Sequence, residues 1–252
     1  MKISVITSVY NNKETIAEAI ESVLSQTYDD IEYIVVDGAS TDGTVEVIQK
    51  YGDKVTTFVS EPDKGIYDGL NKGIALATGD VVGFLHSDDL FQDENVIAKI
   101  AEAFKIYEVD SIYGDLIYVK KEDTSKMVRY WKSGAFGLNK LQNGWMPPHP
   151  TFYVKRKVYK MYGGFDTSFK IAADYDSILR FLGREGITTR YIPEVLVKMR
   201  VGGASNKSIR NIMMKTKEDF RAIRNNCMGH VGSLIYKNIS KLPQFFRRKM
   251  DV

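Results

Sequence analysis

Cysteine is almost absent from the sequence, because Cys227 is the single one among 252 residues. A lone cysteine forms no intramolecular disulfide and builds no multi-cysteine zinc site, and this usage suits a reducing compartment. The fold must therefore be stabilised by burial of apolar side chains. A chain of this length suffices for one large α/β domain or two small ones.

Long apolar runs are also missing. No stretch approaches the roughly 20 consecutive apolar residues that a membrane-spanning helix needs. The opening residues "MKISVITSVY" are typical of a strand and not of an apolar signal segment with a small-residue cleavage site. These features predict a cytoplasmic protein.

The glycine-rich loops that bind phosphates are absent as well. There is no GxxxxGK[ST] motif, and the first predicted strand is followed by "VYNNKET" where a dinucleotide-binding fold would have GxGxxG. Both absences argue against P-loop nucleotidases and dinucleotide-binding Rossmann enzymes. A phosphate-bearing ligand would have to be bound in another way.

Excess positive charge is confined to the end of the chain. Residues 1–206 contain 24 Lys and Arg against 29 Asp and Glu, whereas residues 207–252 contain 11 against 3. We predict one main domain, residues 1–206, and a basic helical C-terminal tail, residues 207–252. Such a tail suits an anionic membrane surface or nucleic acid, or it is a solvated helical face.

Strand and helix patterns alternate four times within residues 1–107. The strand patterns are "KISVITSVYN", "IEYIVVDGAS", "KVTTFVSEPD" and "DVVGFLHSDD". The alternation predicts an α/β fold with a mostly parallel central sheet flanked by helices. After residue 107 the sequence predicts a β-hairpin, a loop with a short strand, a short basic helix and a helix starting near Asp174.

Polar residues follow all four predicted strands. Ligands of parallel α/β sheets bind at the carboxyl ends of the strands, so these residues are expected to line one crevice. They are Tyr10, Asn11, Asp37, Glu61 to Lys64, Asp88 and Asp89.

The adjacent carboxylates Asp88 and Asp89 follow an apolar strand directly. Carboxylates at such a position can hold Mg²⁺ or Mn²⁺ with open positions for phosphate oxygens. A metal there would stabilise a diphosphate leaving group. A pair of aspartates after a strand is also typical of a helix N-cap or a solvated turn, so the pair alone leaves both interpretations open.

Four segments together resemble the family 2 glycosyltransferases, which have the nucleotide-sugar-binding GT-A fold. The segments are "SVITSVYN", "SQTYDDIEYIVVDGASTDGT", "EPDKGIYDGLNKGIALATGDVVGFLHSDD" and "FKIAADYDSILRF". The resemblance covers residues 3 to about 190. The segment "EPDKGIYDGLNKG" is similar to the branch that builds bacterial surface polysaccharides such as capsule and colanic acid.

The resemblance implies a role for each nucleotide-site residue. Val9 and Tyr10 match positions that contact the nucleobase, and Asp37 matches the acidic residue that binds the base or the ribose. Lys64 falls where the family presents groups to the nucleotide. An Asx-turn in "DGASTDGT" is the alternative interpretation of Asp37.

The resemblance also implies the catalytic groups. Ser87 and Asp88 match the metal- and ribose-binding segment, with Asp88 as the metal ligand and Asp89 in support. Asp174 matches the catalytic base at a helix start, which removes the proton of the acceptor hydroxyl in an inverting displacement. Asp176 is the alternative base, although two residues further along a helix it should point elsewhere.

Three positions depart from the family pattern. Gly38 stands where many members have a second aspartate, His86 where they often have an aspartate, and Ala173 where they usually have a glutamate. One carboxylate fewer weakens the metal site. His86 would then ligate the metal, bind a phosphate or simply pack.

The sequence thus predicts an inverting, metal-dependent glycosyltransferase that uses a nucleoside-diphosphate sugar, with a UDP-sugar favoured and Mn²⁺ or Mg²⁺ as cofactor. The acceptor is a saccharide or a lipid-linked saccharide. The alternatives are a nucleotidyltransferase and a non-catalytic nucleotide-sugar or glycan-binding module. We expect no nucleic-acid partner, and the sequence does not indicate an oligomeric state.

The end of the tail, "IYKNISKLPQFFRRKM", places Phe245 and Phe246 beside three consecutive basic residues. That composition suits an anionic leaflet at which a lipid-linked acceptor would be located. We therefore extend the predicted location to the inner face of the cytoplasmic membrane, with a solvated helix as the alternative.

Overall fold

The computed structural model describes residues 1–202, 209–229 and 232–233, and within them it contains a nine-stranded sheet flanked by helices. The strands are β1 Ile3–Val9, β2 Ile31–Asp37, β3 Thr57–Ser60, β4 Val81–Phe84, β5 Leu90–Phe91, β6 Ser111–Val119, β7 Met127–Trp131, β8 Tyr153–Lys155 and β9 Thr189–Arg200. The helices are α1 Ile16–Leu24, α2 Thr44–Gln49, α3 Ile66–Leu76, α4 Val96–Tyr107, α5 Leu138–Gln142, α6 Arg156–Tyr162, α7 Ala173–Ile178 and α8 Ile209–Asn225. A π-helical segment, Leu179–Arg184, continues α7.

The first half of the sheet is parallel, in the order β3-β2-β1-β4. All seven residues of β1 are buried, as expected for a strand that helices cover on both faces. The register pairs Val9 with Asp37 and Asp37 with Ser60, so β1, β2 and β3 end level with one another. This arrangement confirms the predicted alternation of parallel strands and helices.

The second half of the sheet is mixed, in the order β8-β6-β9-β5. β8 is antiparallel to β4 and β6, whereas β9 is parallel to β6 and the hairpin strand β7 is antiparallel to it. The α/β class and the hairpin are confirmed, but the sheet as a whole is mixed and not mostly parallel.

β9 was not predicted, and its sequence explains why. The strand reads "TRYIPEVLVKMR", and the residues Pro193 and Glu194 interrupt its apolar pattern. Its register with β6 shifts between Tyr113 and Asp115, opposite this interruption. A proline in a strand pattern normally indicates an edge or a bulge, so a strand of this length is not visible from the sequence.

Apolar side chains alternate between the two faces of the sheet. Ile6 and Ile34 belong to a core cluster that also contains Phe84 and residues of α7 and α8. Val5 and Val35 belong to a second cluster, which packs against α1 and α4. Successive residues of β1 and β2 point to opposite faces of the sheet, so each strand contributes side chains to both hydrophobic layers.

Two glycines let α3 approach β1 closely. A Cβ atom at Gly73 would lie 2.3 Å from Cγ2 of Ile6, and one at Gly69 would lie 2.3 Å from Oγ of Ser8. Both distances are shorter than any side chain tolerates. The glycines of "GIYDGLNKG" thus set the start of α3 against the carboxyl end of β1.

Residues 209–225 of the predicted basic tail form α8, which packs against the main body. Ala222 and Ile223 are almost fully buried in the same core cluster as Tyr175 of α7. The boundary at residue 206 stays a prediction, and Phe245, Phe246 and the basic residues after them lie outside the described residues. No helix in the described part of the chain is long and apolar enough to span a membrane.

Candidate functional site

The end of β1 presents one buried and one exposed side chain. Val9 is 2% exposed and packs in the core, while its carbonyl oxygen accepts a hydrogen bond from Gly38 N at 2.9 Å. Tyr10 is 62% exposed. Any contact of this strand end with a base therefore falls to the ring of Tyr10. The nucleobase role of both residues stays a prediction.

Asp37 lies buried at the end of β2, with both carboxylate oxygens occupied. One oxygen accepts hydrogen bonds from Ser40 N at 2.9 Å and from Ser60 Oγ at 2.7 Å, and the other accepts a short one from Ser40 Oγ. The bond to Ser40 N spans three residues and not the two of an Asx-turn, and it holds the loop that follows β2. The bond to Ser60 joins the ends of β2 and β3. Direct binding of a base or ribose by Asp37 stays a prediction.

The carboxylate of Asp63 explains why Gly38 replaces a second aspartate. A Cβ atom at Gly38 would lie 2.6 Å from Oδ2 of Asp63 and within 3.3 Å of its other oxygen. A like-charged side chain at residue 38 would be both too large and repelled. Asp63 thus supplies a carboxylate to this part of the crevice. The adjacent Lys64 is exposed, as a nucleotide-contacting group would be.

The segment after β4 is held by hydrogen bonds to its backbone and to Ser87. Ser87 Oγ accepts a bond from Asn12 Nδ2 at 2.9 Å, and the Ser87 carbonyl accepts one from Thr15 Oγ1 at 2.9 Å. The Asp88 carbonyl accepts a bond from Arg200 Nη1 at 2.7 Å. The Asp88 carboxylate is partly exposed and has no hydrogen bond or ion pair within the described part of the chain.

Asp89 has a different environment from Asp88. It is fully buried, and its Oδ1 accepts a hydrogen bond from Arg200 N at 3.2 Å. Burial, together with the neighbouring Asp88 charge, raises the pKa of Asp89 well above its usual range. The supporting metal role of Asp89 stays a prediction.

Asp174 is the second residue of α7 and is partly exposed. The Tyr67 hydroxyl lies 3.3 Å from Oδ1 of Asp174 and 2.6 Å from the Ile171 carbonyl oxygen. Burial, followed by the Asp174 charge, raises the pKa of Tyr67 above its usual value, so the phenol stays neutral. Its single hydrogen goes to the closer carbonyl, which leaves the Asp174 carboxylate available.

Asp176 points away from this region. It is 6% exposed, and its Oδ1 accepts a hydrogen bond at 2.9 Å from Nδ2 of Asn226, the residue directly after α8. Burial raises its pKa. The expectation that Asp176 and Asp174 face different directions is therefore confirmed.

His86 lies close enough to both candidate catalytic carboxylates for their charges to act on it. Burial lowers the pKa of His86, and the charges of Asp88 and Asp174 oppose that shift. Its Nδ1 is buried without a hydrogen-bond partner in the described residues. The neighbouring His149 ring lies 5.8 Å from the His86 ring, and burial lowers the pKa of His149 to about 4. Both imidazoles are neutral at pH 7.

Asp88 offers a hard divalent cation a carboxylate that has no partner within the described residues. Within the described ranges, no three His, Cys, Asp or Glu side chains are placed to hold a metal ion. Mg²⁺-like cations in transferases are commonly bound by one or two carboxylates, with the remaining ligands supplied by waters and substrate phosphates. The unpaired Asp88 carboxylate meets that requirement when a diphosphate is bound.

The sequence matches the family described as glycosyl transferase family 2 over residues 4–167. The chain belongs to this family. The predicted family and the predicted glycosyltransferase class of enzyme are thereby confirmed, and the β1, β2 and β4 ends described above lie inside the matched segment.

Curated relatives in several bacteria are glycosyltransferases. A "PGL/p-HBAD biosynthesis glycosyltransferase" of Mycobacterium bovis strain BCG is 27% identical over 218 residues, which cover 84% of this chain and 82% of the relative. An uncharacterised glycosyltransferase of Mycobacterium tuberculosis strain CDC 1551 is 34% identical and covers 71% of this chain and 68% of its own length. An uncharacterised glycosyltransferase of Rickettsia typhi is 31% identical and covers 88% of this chain and 70% of its own length.

Solved structures share the fold. Staphylococcus aureus TarS 1–349 in complex with UDP-GlcNAc matches with a TM-score of 0.71 and 18% identity, covering 90% of this chain. This chain spans 65% of that TarS chain. The Pyrobaculum calidifontis mannosyltransferase PcManGT, in complex with GDP-Man and Mn²⁺, matches with a TM-score of 0.66 and 19% identity, covering 96% of this chain and 70% of its own. The expected GT-A type of α/β fold is confirmed.

Three residues, Tyr67, Arg200 and Glu218, make contacts at the site that the sequence did not predict. Tyr67 was not singled out, and its contact with Asp174 joins positions 107 residues apart. Arg200 is 3% exposed, and its guanidinium is bound to the Asp88 carbonyl and to Glu18. Glu218 lies 46 residues after its nearest partner, Ala172. Contacts at such separations leave no local pattern.

We predict that Arg200→Met lowers the free energy of unfolding by about 3 kcal/mol, because the buried carbonyls of Asp88 and Lys121 lose their donor. The matched control is Glu18→Gln, at the exposed end of the Arg200 ion pair. Glu18 is 54% exposed, so the change should cost less than about 1 kcal/mol. Urea unfolding measures both, and equal losses would contradict the backbone-anchoring role of Arg200.

Proposed function

We propose that this chain is an inverting, metal-dependent glycosyltransferase that transfers a sugar from a nucleoside-diphosphate sugar. The observation that carries the proposal is a pair of partly exposed carboxylates, Asp88 and Asp174, whose charges both act on the His86 imidazole. One follows a strand at the nucleotide edge of the sheet, and the other begins a helix. The two positions suit donor binding and proton removal respectively.

In the proposed mechanism each carboxylate has one task. Asp88 would hold a divalent cation, which would supply Lewis-acid stabilisation of the departing diphosphate. Asp174 accepts the proton of the acceptor hydroxyl as that oxygen attacks the anomeric carbon. A single base suffices for direct displacement with inversion, so no covalent intermediate on the protein is needed. The neutral Tyr67 phenol limits the directions open to the Asp174 carboxylate.

The donor we propose is a UDP-sugar. The support is the neighbour TarS, which was solved with UDP-GlcNAc, while the neighbour with GDP-Man and Mn²⁺ supports a divalent cation. The exposed ring of Tyr10 offers a stacking surface for a base at the crevice. The proposed acceptor is a saccharide or lipid-linked saccharide of a bacterial surface polysaccharide.

The proposed membrane contact lies in residues 234–252, through Phe245, Phe246 and the basic residues that follow. A chain ending at Ser233 keeps α8 and removes this segment. We predict that it sediments less with anionic phosphatidylglycerol vesicles than the full chain does, and that neither chain sediments with neutral phosphatidylcholine vesicles. Equal sedimentation of the two chains with anionic vesicles would reject the contact.

We predict that metal-dependent donor binding requires Asp88. Thermal shift with UDP-GlcNAc, UDP-glucose, GDP-mannose and a dTDP-sugar, each with Mn²⁺, Mg²⁺ or chelator, should show stabilisation by one nucleotide only when metal is present. Asp88→Ala should abolish that stabilisation. Asp29→Ala, an exposed aspartate just before β2 at the opposite edge of the sheet, should keep it.

The alternatives give different results in the same assay. Donor stabilisation that survives chelation and the Asp88→Ala change would contradict the metal role of Asp88. Binding of every donor without nucleotide release would favour the non-catalytic binding module. Pyrophosphate release from a nucleoside triphosphate and a sugar phosphate would favour the nucleotidyltransferase.

We predict that Asp174→Asn keeps donor binding but lowers the rate of nucleotide release at least about 100-fold, because the amide cannot accept the hydroxyl proton. The comparison variant is Asp176→Asn. Its side chain faces Asn226, so its rate should stay within about tenfold of the unchanged chain, any loss coming from packing. Normal turnover of Asp174→Asn with loss in Asp176→Asn would transfer the base assignment to Asp176.

A further inference from the structure

A buried carboxylate of α8 binds the backbone directly ahead of Asp174. Glu218 is 9% exposed, and its Oε1 accepts a hydrogen bond from Lys170 N at 2.8 Å. Its Oε2 accepts bonds from Ile171 N at 2.8 Å and Ala172 N at 3.0 Å. One side chain thus binds three consecutive N–H groups that end two residues before the candidate base.

These N–H groups belong to the three residues just ahead of α7, and Ala172 is the N-cap residue of that helix. An N-cap side chain bonds N–H groups inside the first turn and not those ahead of it. Residues 170–172 instead take their acceptor from a distant part of the chain, Glu218. Bonds from N–H groups to an ionised carboxylate are about twice as strong as neutral ones, so the segment is firmly held.

Other contacts fix α8 independently of Glu218. Asn226, the residue directly after α8, donates a hydrogen bond to Asp176 on α7 at 2.9 Å. Between Glu218 and Asn226, Ala222 is fully buried, and the guanidinium of Arg221 lies 3.7 Å from the ring centroid of Phe169. Because several residues dock the helix, a change at Glu218 alone is expected to leave α8 in place.

We propose that Glu218 is a positioning residue for Asp174. It fixes the backbone of residues 170–172 and with it the start of α7, and so sets the direction from which the Asp174 carboxylate meets the acceptor hydroxyl. The inference rests on the function proposed above for Asp174. Helix α8, which belongs to the predicted basic tail, therefore contributes to the catalytic geometry and is required for activity.

Glu218→Gln tests the proposal because glutamine keeps the size but places an NH₂ group against an N–H donor. The rate of nucleotide release from UDP-GlcNAc with Mn²⁺, or from whichever panel donor binds, should fall about 10- to 100-fold. The KM for the donor should stay within about twofold, because the Asp88 segment is untouched. Glu218→Asp keeps the charge and should give an intermediate rate, which provides a second variant if glutamine is not tolerated.

Amide hydrogen exchange provides a readout that does not depend on turnover. In Glu218→Gln the amides of residues 170–172 should exchange about tenfold faster than in the unchanged chain, while the amides of β1 keep their protection. The matched control is Asn226→Ala, which removes another α8 contact. It should lower the melting temperature but leave the rate within about threefold.

The outcomes separate this inference from the proposed function. A rate for Glu218→Gln within twofold of the unchanged chain, or a loss equal to that of Asn226→Ala, would overturn the positioning role. If the unchanged chain releases no nucleotide from any panel donor, the proposed function fails. Unaltered exchange at residues 170–172 would then overturn the role of Glu218 by itself.

Discussion

The parallel register of β1 with β2 and β4 is the constraint on which the candidate site depends. It pairs Val9 with Asp37 and Ile6 with Phe84, so the chain leaves all three strands at the same edge of the sheet. Beyond that edge these three strands no longer hold the backbone by pairing with one another. The segments that carry the functional groups are therefore held largely by side-chain hydrogen bonds, besides the short pairing of β5 with β9 after Asp89.

Buried charged side chains perform this task, and they do so mainly by binding backbone groups. Asp37 binds the Ser40 amide, Arg200 binds the carbonyls of Asp88 and Lys121, and Glu218 binds three amides before Asp174. Each of these buried charges thus has hydrogen-bond partners other than the carboxylates of Asp88 and Asp174. This division leaves the side chains of Asp88 and Asp174 available to a cation and to an acceptor.

The N-terminal half of the fold could be predicted from the sequence because its signals are local. The apolar runs of β1 and β2 and the amphipathic pattern of α1 each lie within ten residues. The crevice followed from the rule that parallel sheets bind ligands at the carboxyl ends of strands. The glycine at residue 38 was noticed as a departure, but its cause, the Asp63 carboxylate, required the structure.

The parts that were missed depend on contacts between distant residues. β9 pairs with β6 although Pro193 interrupts its pattern, and the difference between Asp88 and Asp89 arises from burial against Arg200. The hydrogen bonds of Glu218 to the N–H groups of residues 170–172 connect the basic tail to the main body across more than 40 residues of sequence. Sequence periodicity reports which face of an element is apolar, and it carries no information on such polar contacts.

The central claim is that Asp88 is the protein ligand of a divalent cation that binds the donor diphosphate. Anomalous diffraction from crystals soaked with UDP and Mn²⁺ tests it most directly, because it locates the metal itself. The account predicts one strong anomalous peak bonded to the Asp88 carboxylate and to diphosphate oxygens, and no peak in Asp88→Ala crystals. A peak coordinated away from Asp88, or bound UDP with no metal peak, would contradict it.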